Sequence, residues 1–320
     1  MVADRVQSGI PTFIVAGERR AGTTSLYHTL RQHPDICMYP KSEMSYFIEA
    51  ELKGRRWRDG DADPGAWEAS HSVGDYVALF GDGDQRPAVG HKGADLLFWE
   101  PAHDRMRRFA PNARIVVSLR NPVDRAWSHY WNEVGKGRET LDFDQAVERE
   151  TERATSSAWA RFHLSYVARG FYATSLERLF RAIPREQVLV VTMEDCRGDG
   201  GETLGHVYRF LGVNPDRVVE ASSQHRNRNW TTVPRPWTRH GIVRPVTDAY
   251  TWSTGQVARV LSRNRERRRE IRRVLQAPVR TPASGFSMEP EIREHLADRF
   301  APEIEALEEI LGRTFAELRG

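Results

Sequence analysis

Glycine, threonine and arginine residues lie together where an apolar run near the start of the sequence ends. The run stops at Gly17, and Gly22-Thr23-Thr24 opens a stretch with amphipathic helical spacing. This order predicts a strand, a tight turn and the start of a helix, where backbone N–H groups and the positive end of the helix dipole can hold an anion. The 17–24 turn is therefore predicted to bind a phosphate group.

The 17–24 turn does not fit a Walker A motif. That motif, Gly-x-x-x-x-Gly-Lys-[Ser/Thr], needs a Lys before its hydroxyl residue. Here Gly22 precedes the first hydroxyl residue, Thr23. The sequence therefore predicts a phosphorylated ligand without ATP hydrolysis, which argues against a P-loop kinase.

The composition narrows the class of protein. The chain has 320 residues, 39% of them hydrophobic, and no stretch approaches the ~20 apolar residues of a membrane span. A net charge of only +3 does not predict a nucleic-acid binder. No apolar signal core opens the sequence, and Cys37 and Cys196 form no metal-binding pattern. We expect a cytoplasmic protein with reduced thiols. Nothing in the sequence indicates an oligomeric state.

Apolar runs alternate with helical spacing along most of the chain. Strands are predicted at 12–16, 36–39, 114–119 and 188–192, and helices at 23–33, 73–80, 123–135, 142–150, 158–168, 172–182, 202–212, 245–276 and 289–318. This alternation is typical of an α/β fold, a doubly wound parallel sheet with helices on both faces. We expect one domain over residues 1–320, with helical additions near the C-terminus. Residues from about 235 to 285 would form a helical insertion or a cover over the acceptor site.

The predicted fold gathers several polar segments at one edge of the sheet. Ligands of doubly wound sheets bind at the carboxyl ends of the strands. Four segments are expected to meet there: residues 17–24, 40–43, 92–95 and 120–128.

Four motifs of the chain, three of them in these segments, are similar to those of a known family. They are Gly17-Glu-Arg-Arg20-Ala-Gly-Thr23-Thr24 with His33-Pro34 and Lys41-Ser-Glu43; Lys92-Gly-Ala-Asp-Leu-Leu-Phe98; Arg120-Asn-Pro-Val-Asp-Arg125-Ala-Trp-Ser128-His-Tyr130; and Gly170-Phe-Tyr172. Over roughly residues 10–230 the chain resembles the sulfotransferases that use 3'-phosphoadenosine 5'-phosphosulfate (PAPS). The likeness is to the carbohydrate, heparan-sulfate-type branch and its bacterial relatives. It implies a P-loop-like fold.

The resemblance also implies a PAPS site and no metal. The backbone of residues 18–24 and the hydroxyls of Thr23 and Thr24 would bind the 5'-phosphate. Arg120 and Ser128 would hold the 3'-phosphate, for which a guanidinium offers a bidentate fork. The implied donor-binding residues are Arg19, Arg20, Ala21, Gly22, Thr23, Thr24, Ser25, Arg120, Ser128, Tyr172, Arg226 and Arg228.

Catalytic roles follow from the same resemblance. Glu43 stands at the family's catalytic carboxylate and is predicted to be the general base; the alternative is a solvated Glu that caps a helix turn. Lys92 would approach the transferred sulfonate or the leaving oxygen, or else be a surface Lys. Lys41 could bind sulfonate or an anionic acceptor, and is equally explained as a solvated charge. His91 could be a rival base or contact the acceptor, although a lone His is more often structural.

One motif position departs from the family. Arg20 stands where the family has Lys, and Arg keeps the charge but not the compact ammonium group. We expect Arg20 to neutralise a phosphate as part of the catalytic machinery, with Arg19 able to share that task. The departure leaves open a catalytically impaired homologue that still binds PAPS or its product PAP.

The sequence therefore predicts transfer of a sulfuryl group to a hydroxyl of a carbohydrate or a glycosylated or small-molecule natural product. The alternative is a protein that binds nucleic acid or another anionic surface through the Arg-rich segment 263–273. Glu266 and Glu270 interrupt that segment, which favours a solvated amphipathic helix. No nucleic acid is expected as a partner.

Overall fold

The structure is a computed structural model. It describes residues 11–39, 46–48, 72–80, 86–198, 200–217, 232–234, 244–262, 265–277, 280–282 and 285–319. Four predicted site residues therefore lie outside the described residues: Lys41, Glu43, Arg226 and Arg228.

Five parallel strands form the central sheet, in the order β2-β3-β1-β4-β5. They are β1 (Phe13–Gly17), β2 (Ile36–Met38), β3 (Ala88–Lys92), β4 (Arg114–Leu119) and β5 (Val188–Thr192). Val and Ile are frequent in β1, β4 and β5, and these strands are buried on both faces, as expected when helices cover a parallel sheet. A pair of short antiparallel strands, β6 (Thr232–Pro234) and β7 (Arg280–Pro282), lies apart from this sheet. The predicted doubly wound α/β architecture is confirmed.

The described residues form fourteen α-helices, several of which cover the two faces of the sheet. They are α1 (Thr23–Leu30), α2 (Val73–Ala78), α3 (Pro101–Phe109), α4 (Pro122–Gly135), α5 (Phe143–Glu148), α6 (Glu150–Ser156), α7 (Ala158–Leu164), α8 (Tyr172–Ala182), α9 (Asp195–Gly198), α10 (Gly200–Leu211), α11 (Arg244–Leu261), α12 (Arg265–Gln276), α13 (Pro290–Leu311) and α14 (Ala316–Arg319). Short 3-10 turns lie at Tyr46–Ile48, Ala168–Gly170, Arg185–Gln187 and Pro215–Arg217.

Side chains of β1 alternate between two separate cores, because neighbouring residues of a strand point to opposite faces. Phe13 and Val15 pack in the core that includes residues of α1 and α10. Ile14 and Ala16 belong to the larger core, which includes residues of α3, α4, α8 and α13. The central strand is thus held from both sides, so the turn that follows it starts from a rigid position.

The strand order brings three chain segments to one edge of the sheet. β1 pairs with β3 on one side and with β4 on the other. The 17–24 turn leaves the end of β1, Lys92 is the last residue of β3, and Arg120 follows β4 directly. This is the sheet edge where the sequence predicts a ligand.

Some elements differ from the sequence-based expectations. No strand was predicted between residues 39 and 114, but β3 lies at Ala88–Lys92; its Gly and His leave no apolar run to mark it. The polar, Arg-rich α3 was not predicted. The helical stretch expected at 245–276 is two helices, α11 and α12.

Candidate functional site

The shape of the 17–24 turn requires glycine at two positions. A Cβ added to Gly17 would lie 2.7 Å from the carbonyl oxygen of Ser118 on the neighbouring β4. Gly22 has φ of 91°, a left-handed value that side chains disfavour, and a Cβ there would lie 2.7 Å from Cγ of Met193. The turn therefore lies tightly against the ends of β4 and β5.

The carbonyl groups of the turn are bound by the protein itself. Three successive carbonyls of the turn each accept a hydrogen bond from a side chain. Ser118 of β4 donates from Oγ to Ala21 O at 2.7 Å. Arg120, which follows β4, donates to Arg20 O at 3.5 Å, and Arg125 of α4 donates to Arg19 O at 3.5 Å. The carbonyl of Gly22 accepts from the N–H groups of Ser25 and Leu26. Acceptors that would repel an anion are thus engaged within the fold.

The N–H groups at the start of α1 are arranged to receive an anion. Gly22 is the N-cap, and no side-chain hydrogen bond caps this helix start within the described part of the chain. The first N–H groups of any α-helix have no partner inside the helix, and here they belong to Thr23 and Thr24. Lys92 adds a buried ammonium group, whose Nζ donates to Thr24 Oγ1 at 3.2 Å. Backbone donors, hydroxyls and a cation therefore converge at this end of α1.

A second cationic group forms where the turn meets α4. Arg20 Nε donates to Ser128 Oγ at 2.9 Å. Arg120 contacts the backbone of Arg20, and its own carbonyl accepts a hydrogen bond of 2.8 Å from the Tyr172 hydroxyl. Pro122 at the start of α4 and the N-cap Asn121, whose side chain accepts from Asp124 N–H, fix where this helix begins. We call the group formed by Arg20, Arg120 and Ser128 the arginine–serine cluster.

The pKa values of Arg19 and Arg20 are shifted in opposite directions by their surroundings. Burial would lower the pKa of Arg19, but the carboxylate of Asp95, 2.5 Å from its Nε, together with Glu133 holds that pKa above its ordinary value. Burial lowers the pKa of Arg20, and the neighbouring positive charge of Arg120 lowers it further. Asp95 and Glu133 thus raise the pKa of Arg19, whereas for Arg20 burial and Arg120 outweigh the opposing effect of Glu133.

A network of buried ion pairs, here called the ion network, holds Glu18 and Arg19 of the turn in place. Arg169 lies 2.9 Å from Glu18 and 2.9 Å from Asp95, and Asp95 in turn binds Arg19. Burial raises the pKa of Glu18 to about 7, against the opposing effect of Arg169. The guanidinium of Arg169 also lies 4.2 Å above the ring of Phe98. Sequence reasoning missed Glu18, Asp95 and Arg169, and no spacing in the sequence links them.

Several predicted donor-site residues are brought together at this edge. The turn residues Arg20 to Ser25, Lys92, Arg120 and Ser128 all lie there, as the contacts above show. Tyr172 reaches the site through the carbonyl of Arg120, and its ring is buried. The side chain of Arg19 is directed into the ion network instead, where it also lies 4.6 Å from the ring centre of Phe162. Arg125 and Tyr130 of α4 are buried and donate to the carbonyls of Tyr166 and Leu141, so they stabilise the position of this helix.

His91 lies apart from these residues. It precedes Lys92 in β3, so its side chain is on the opposite face of the sheet. The ring is fully buried, 2.7 Å from the Tyr76 hydroxyl and close to Phe47. Burial lowers the pKa of His91 to about 3, so the ring is neutral at physiological pH. This is the environment of a structural histidine, and the predicted contact with an acceptor has no support in this geometry.

The fold agrees with what comparisons with known proteins find. The sequence model of the Sulfotransferase family matches residues 11–217, so the chain belongs to that family. It is similar to bifunctional heparan sulfate N-deacetylase/N-sulfotransferase 4 of Mus musculus, with 28% identity over 218 residues, 64% of this chain and 23% of that protein. It is also similar to heparan sulfate glucosamine 3-O-sulfotransferase 3A1 of Homo sapiens, with 25% identity over 214 residues, 67% of this chain and 47% of that protein.

A solved structure matches almost the entire chain. The sulfotransferase from Alicyclobacillus acidocaldarius aligns with a TM-score of 0.64 and 27% identity, covering 97% of this chain and 99% of that one. By contrast, the chain spans less than half the length of both curated relatives. The resemblance to carbohydrate sulfotransferases and their bacterial relatives is confirmed.

Two further observations concern the described residues alone. The described residues contain no group of three or more His, Cys, Asp or Glu side chains arranged to hold a metal ion. None of their helices has both the length and the apolar character needed to cross a bilayer.

Proposed function

We propose that this chain is a PAPS-dependent sulfotransferase that acts on a hydroxyl group. The observation that carries the proposal is the presence of two anion-binding groups at one sheet edge. One is the start of α1 with Lys92; the other is the arginine–serine cluster. A nucleotide with phosphates at both its 5' and 3' positions needs two such groups, whereas an ordinary 5'-nucleotide needs one.

The residues present fit the donor. Thr23 and Thr24 would hold the 5'-phosphate through backbone N–H groups, and any side chain at Gly22 would overlap Met193. Arg120 and Ser128 would hold the 3'-phosphate. When bound, PAPS supplies the sulfuryl group and the leaving phosphate. Membership of the family and the likeness to the bacterial sulfotransferase support this choice of donor.

Lys92 is proposed to stabilise the negative charge that develops during transfer. Lys92 as a whole residue is only 2% exposed, and its Nζ lies 3.2 Å from Thr24 Oγ1, next to the predicted 5'-phosphate position. A cation in such a dry position acts on a developing charge more strongly than one in water. Its contact with Thr24 also holds it in place before the reaction begins.

Glu43 remains our candidate for the general base, on the strength of its position in the motif alone. A base must take the proton of the acceptor hydroxyl as it attacks in line. His91, the rival named from the sequence, is buried on the other face of the sheet.

The acceptor is proposed to be a carbohydrate or a glycosylated or small-molecule natural product. The curated relatives named above act, by their names, on heparan sulfate. A sugar hydroxyl is a chemically suitable nucleophile for the proposed transfer. The regions that would choose among acceptors lie outside the matched motifs.

The test is incubation of the purified chain with PAPS and a panel of saccharides and small-molecule hydroxyl compounds, followed by mass spectrometry. We expect an acceptor that gains SO3 and a matching amount of PAP. An enzyme with Lys92→Met should bind PAP but form far less product. Tight PAP binding without product from any acceptor would favour the catalytically impaired homologue. Failure to bind PAP at all would refute the proposal.

A further inference from the structure

Two helices far from the donor site in sequence pack on each other as one unit, here called the helical hairpin. They are α11 and α12, and they lie between the two strands of the short antiparallel pair, β6 and β7. The Tyr250 hydroxyl donates to the carbonyl of Leu275 at 2.8 Å, and Gln276 Nε2 donates to Thr254 Oγ1 at 3.2 Å. Thr254 and Gln276 are both buried, so these contacts determine which side of α11 faces α12 and which side faces outward.

The outward side of α11 is apolar. Its large exposed hydrophobic side chains include Trp252, 69% exposed, Val257, 46%, Val260, 85%, and Leu261, 64%. Val257, Val260 and Leu261 have i, i+3 and i+4 spacing, so they lie on one face of the helix. Among the exposed residues of α11 that the structure describes, Arg259 alone is charged. A contiguous group of exposed apolar side chains commonly marks an interaction surface.

The second helix of the hairpin is strongly cationic. Six of the twelve residues of α12 are Arg and two are Glu, which gives a formal charge of +4. Arg267 and Arg272 are exposed, and Nε of Arg272 would lie 3.9 Å from a Cβ added to Gly255 of α11. Val274, 69% exposed, adds an apolar side chain to the same helix. Positive charge and exposed apolar surface therefore belong to one small unit of the fold.

We propose that the helical hairpin docks on an anionic lipid bilayer. Its apolar side chains would enter the boundary between headgroups and acyl chains, and its arginines would bind the lipid phosphates. Helices that lie in the plane of a bilayer interface combine these two kinds of side chain. Neither helix is long and apolar enough to span the bilayer, so the hairpin would lie on its surface. This inference is independent of the proposed reaction, since the hairpin contains none of the residues assigned to the donor.

The apolar side chains favour lipid over nucleic acid. Nucleic acids are bound through their phosphates and by stacking on aromatic rings, which leaves Val257, Val260 and Leu261 without a partner. The sequence analysis considered the Arg-rich segment by itself, and its two Glu residues favoured a solvated helix. The structure adds the apolar face of α11 beside it. A second copy of this chain is a poorer partner, because two hairpins of the same charge repel each other.

Cosedimentation of the whole chain with sucrose-loaded vesicles tests the proposal. Vesicles of phosphatidylcholine alone are compared with vesicles of equal parts phosphatidylcholine and phosphatidylglycerol. We expect the wild type to bind the anionic vesicles roughly 10-fold or more tightly than the neutral ones, because several arginines would lie near the charged surface. Added salt should weaken this binding, since it screens the attraction.

Two substitutions separate the apolar and the cationic contributions. Val260→Glu places a charge in the centre of the apolar face, and Arg272→Glu reverses a charge on α12. Each should weaken binding to anionic vesicles by roughly 10-fold or more. The control Arg181→Glu makes the same charge reversal at an exposed residue of α8 and should change binding little. Circular dichroism melts establish that all three variants are folded.

Several results would overturn the proposal. They are no binding to anionic vesicles, equal binding to both kinds of vesicle, and unchanged binding in both Val260→Glu and Arg272→Glu. Two further measurements examine the rival partners. Tighter binding of the wild type to random-sequence duplex DNA than to anionic vesicles would assign the hairpin to nucleic acid. A dimer in sedimentation velocity that Val260→Glu converts to a monomer would make this face a contact between two copies of the chain.

Discussion

Replacing Gly22 by alanine tests whether the tight turn is required for both stability and donor binding. The residue has φ of 91°, and an added Cβ would lie 2.7 Å from Cγ and 3.0 Å from Cβ of Met193. The left-handed backbone costs a residue with a side chain roughly 1–2 kcal/mol. Forcing a methyl group into a packed contact costs about 1–3 kcal/mol more. We expect Gly22→Ala to lower the free energy of unfolding by roughly 2–5 kcal/mol, the sum of these two effects.

The chain provides a matched control for the backbone part of this loss. Gly137 has φ of 73°, and a Cβ added there would meet no atom within 4 Å. Gly137→Ala should therefore show the backbone effect alone. Urea unfolding of the two variants gives the free energies, and calorimetry with PAP gives the affinity. Only Gly22→Ala should also impair PAP binding, because its turn leads into the N–H groups of α1.

Changing Met193 allows the steric part of the loss in unfolding free energy to be measured separately. In a double-mutant cycle, Met193→Ala should offset part of the loss caused by Gly22→Ala, because it removes the side chain that the new methyl group would overlap. Equal losses of stability in Gly22→Ala and Gly137→Ala, or no coupling with Met193→Ala, would refute this account of the turn.

Three other predictions concern charged groups. Burial raises the pKa of Glu18 from 4.5 to about 7, so the folded protein holds a proton that the unfolded chain releases at lower pH. The free energy of unfolding should therefore fall as pH rises from 4.5 to about 7, and Glu18→Gln should remove that part of the slope in urea titrations; identical slopes would contradict it. Arg120→Ala should weaken PAP more than AMP in calorimetry, and equal weakening would refute its role at the 3'-phosphate. Glu43→Gln should nearly abolish SO3 transfer, measured by mass spectrometry, while PAP affinity is unchanged; retained turnover would place the base elsewhere.

The strongly patterned parts of the fold could be predicted from the sequence. The bounds of β4, α8 and β5 are those expected, because each is a continuous apolar run or a regular amphipathic repeat. β3 was missed because Gly90, His91 and Lys92 make up most of it. Its side chains are buried by tertiary packing that no local pattern records.

The motifs also predicted which segments meet at one edge of the sheet, because they mark turns at strand ends. They could not reveal the ion network of Glu18, Asp95 and Arg169, whose members are 77 and 74 residues apart and meet only through the order of the strands. A cytoplasmic location and the single-domain boundary remain predictions from the sequence.

The contrast between Arg19 and Arg20 shows where sequence reasoning reaches its limit. Two adjacent arginines in a motif look interchangeable, and the sequence analysis allowed either to neutralise a phosphate. The positive φ of Arg20 sends the two side chains in different directions, one to the carboxylates of Asp95 and Glu133 and the other to Ser128. A carboxylate 2.5 Å from a guanidinium competes with any anionic ligand, so the side chain of Arg19 is committed to the fold. The directions of these two side chains thus depend on one backbone angle, in a turn whose Arg19 and Arg20 carbonyls accept hydrogen bonds from Arg125 and Arg120.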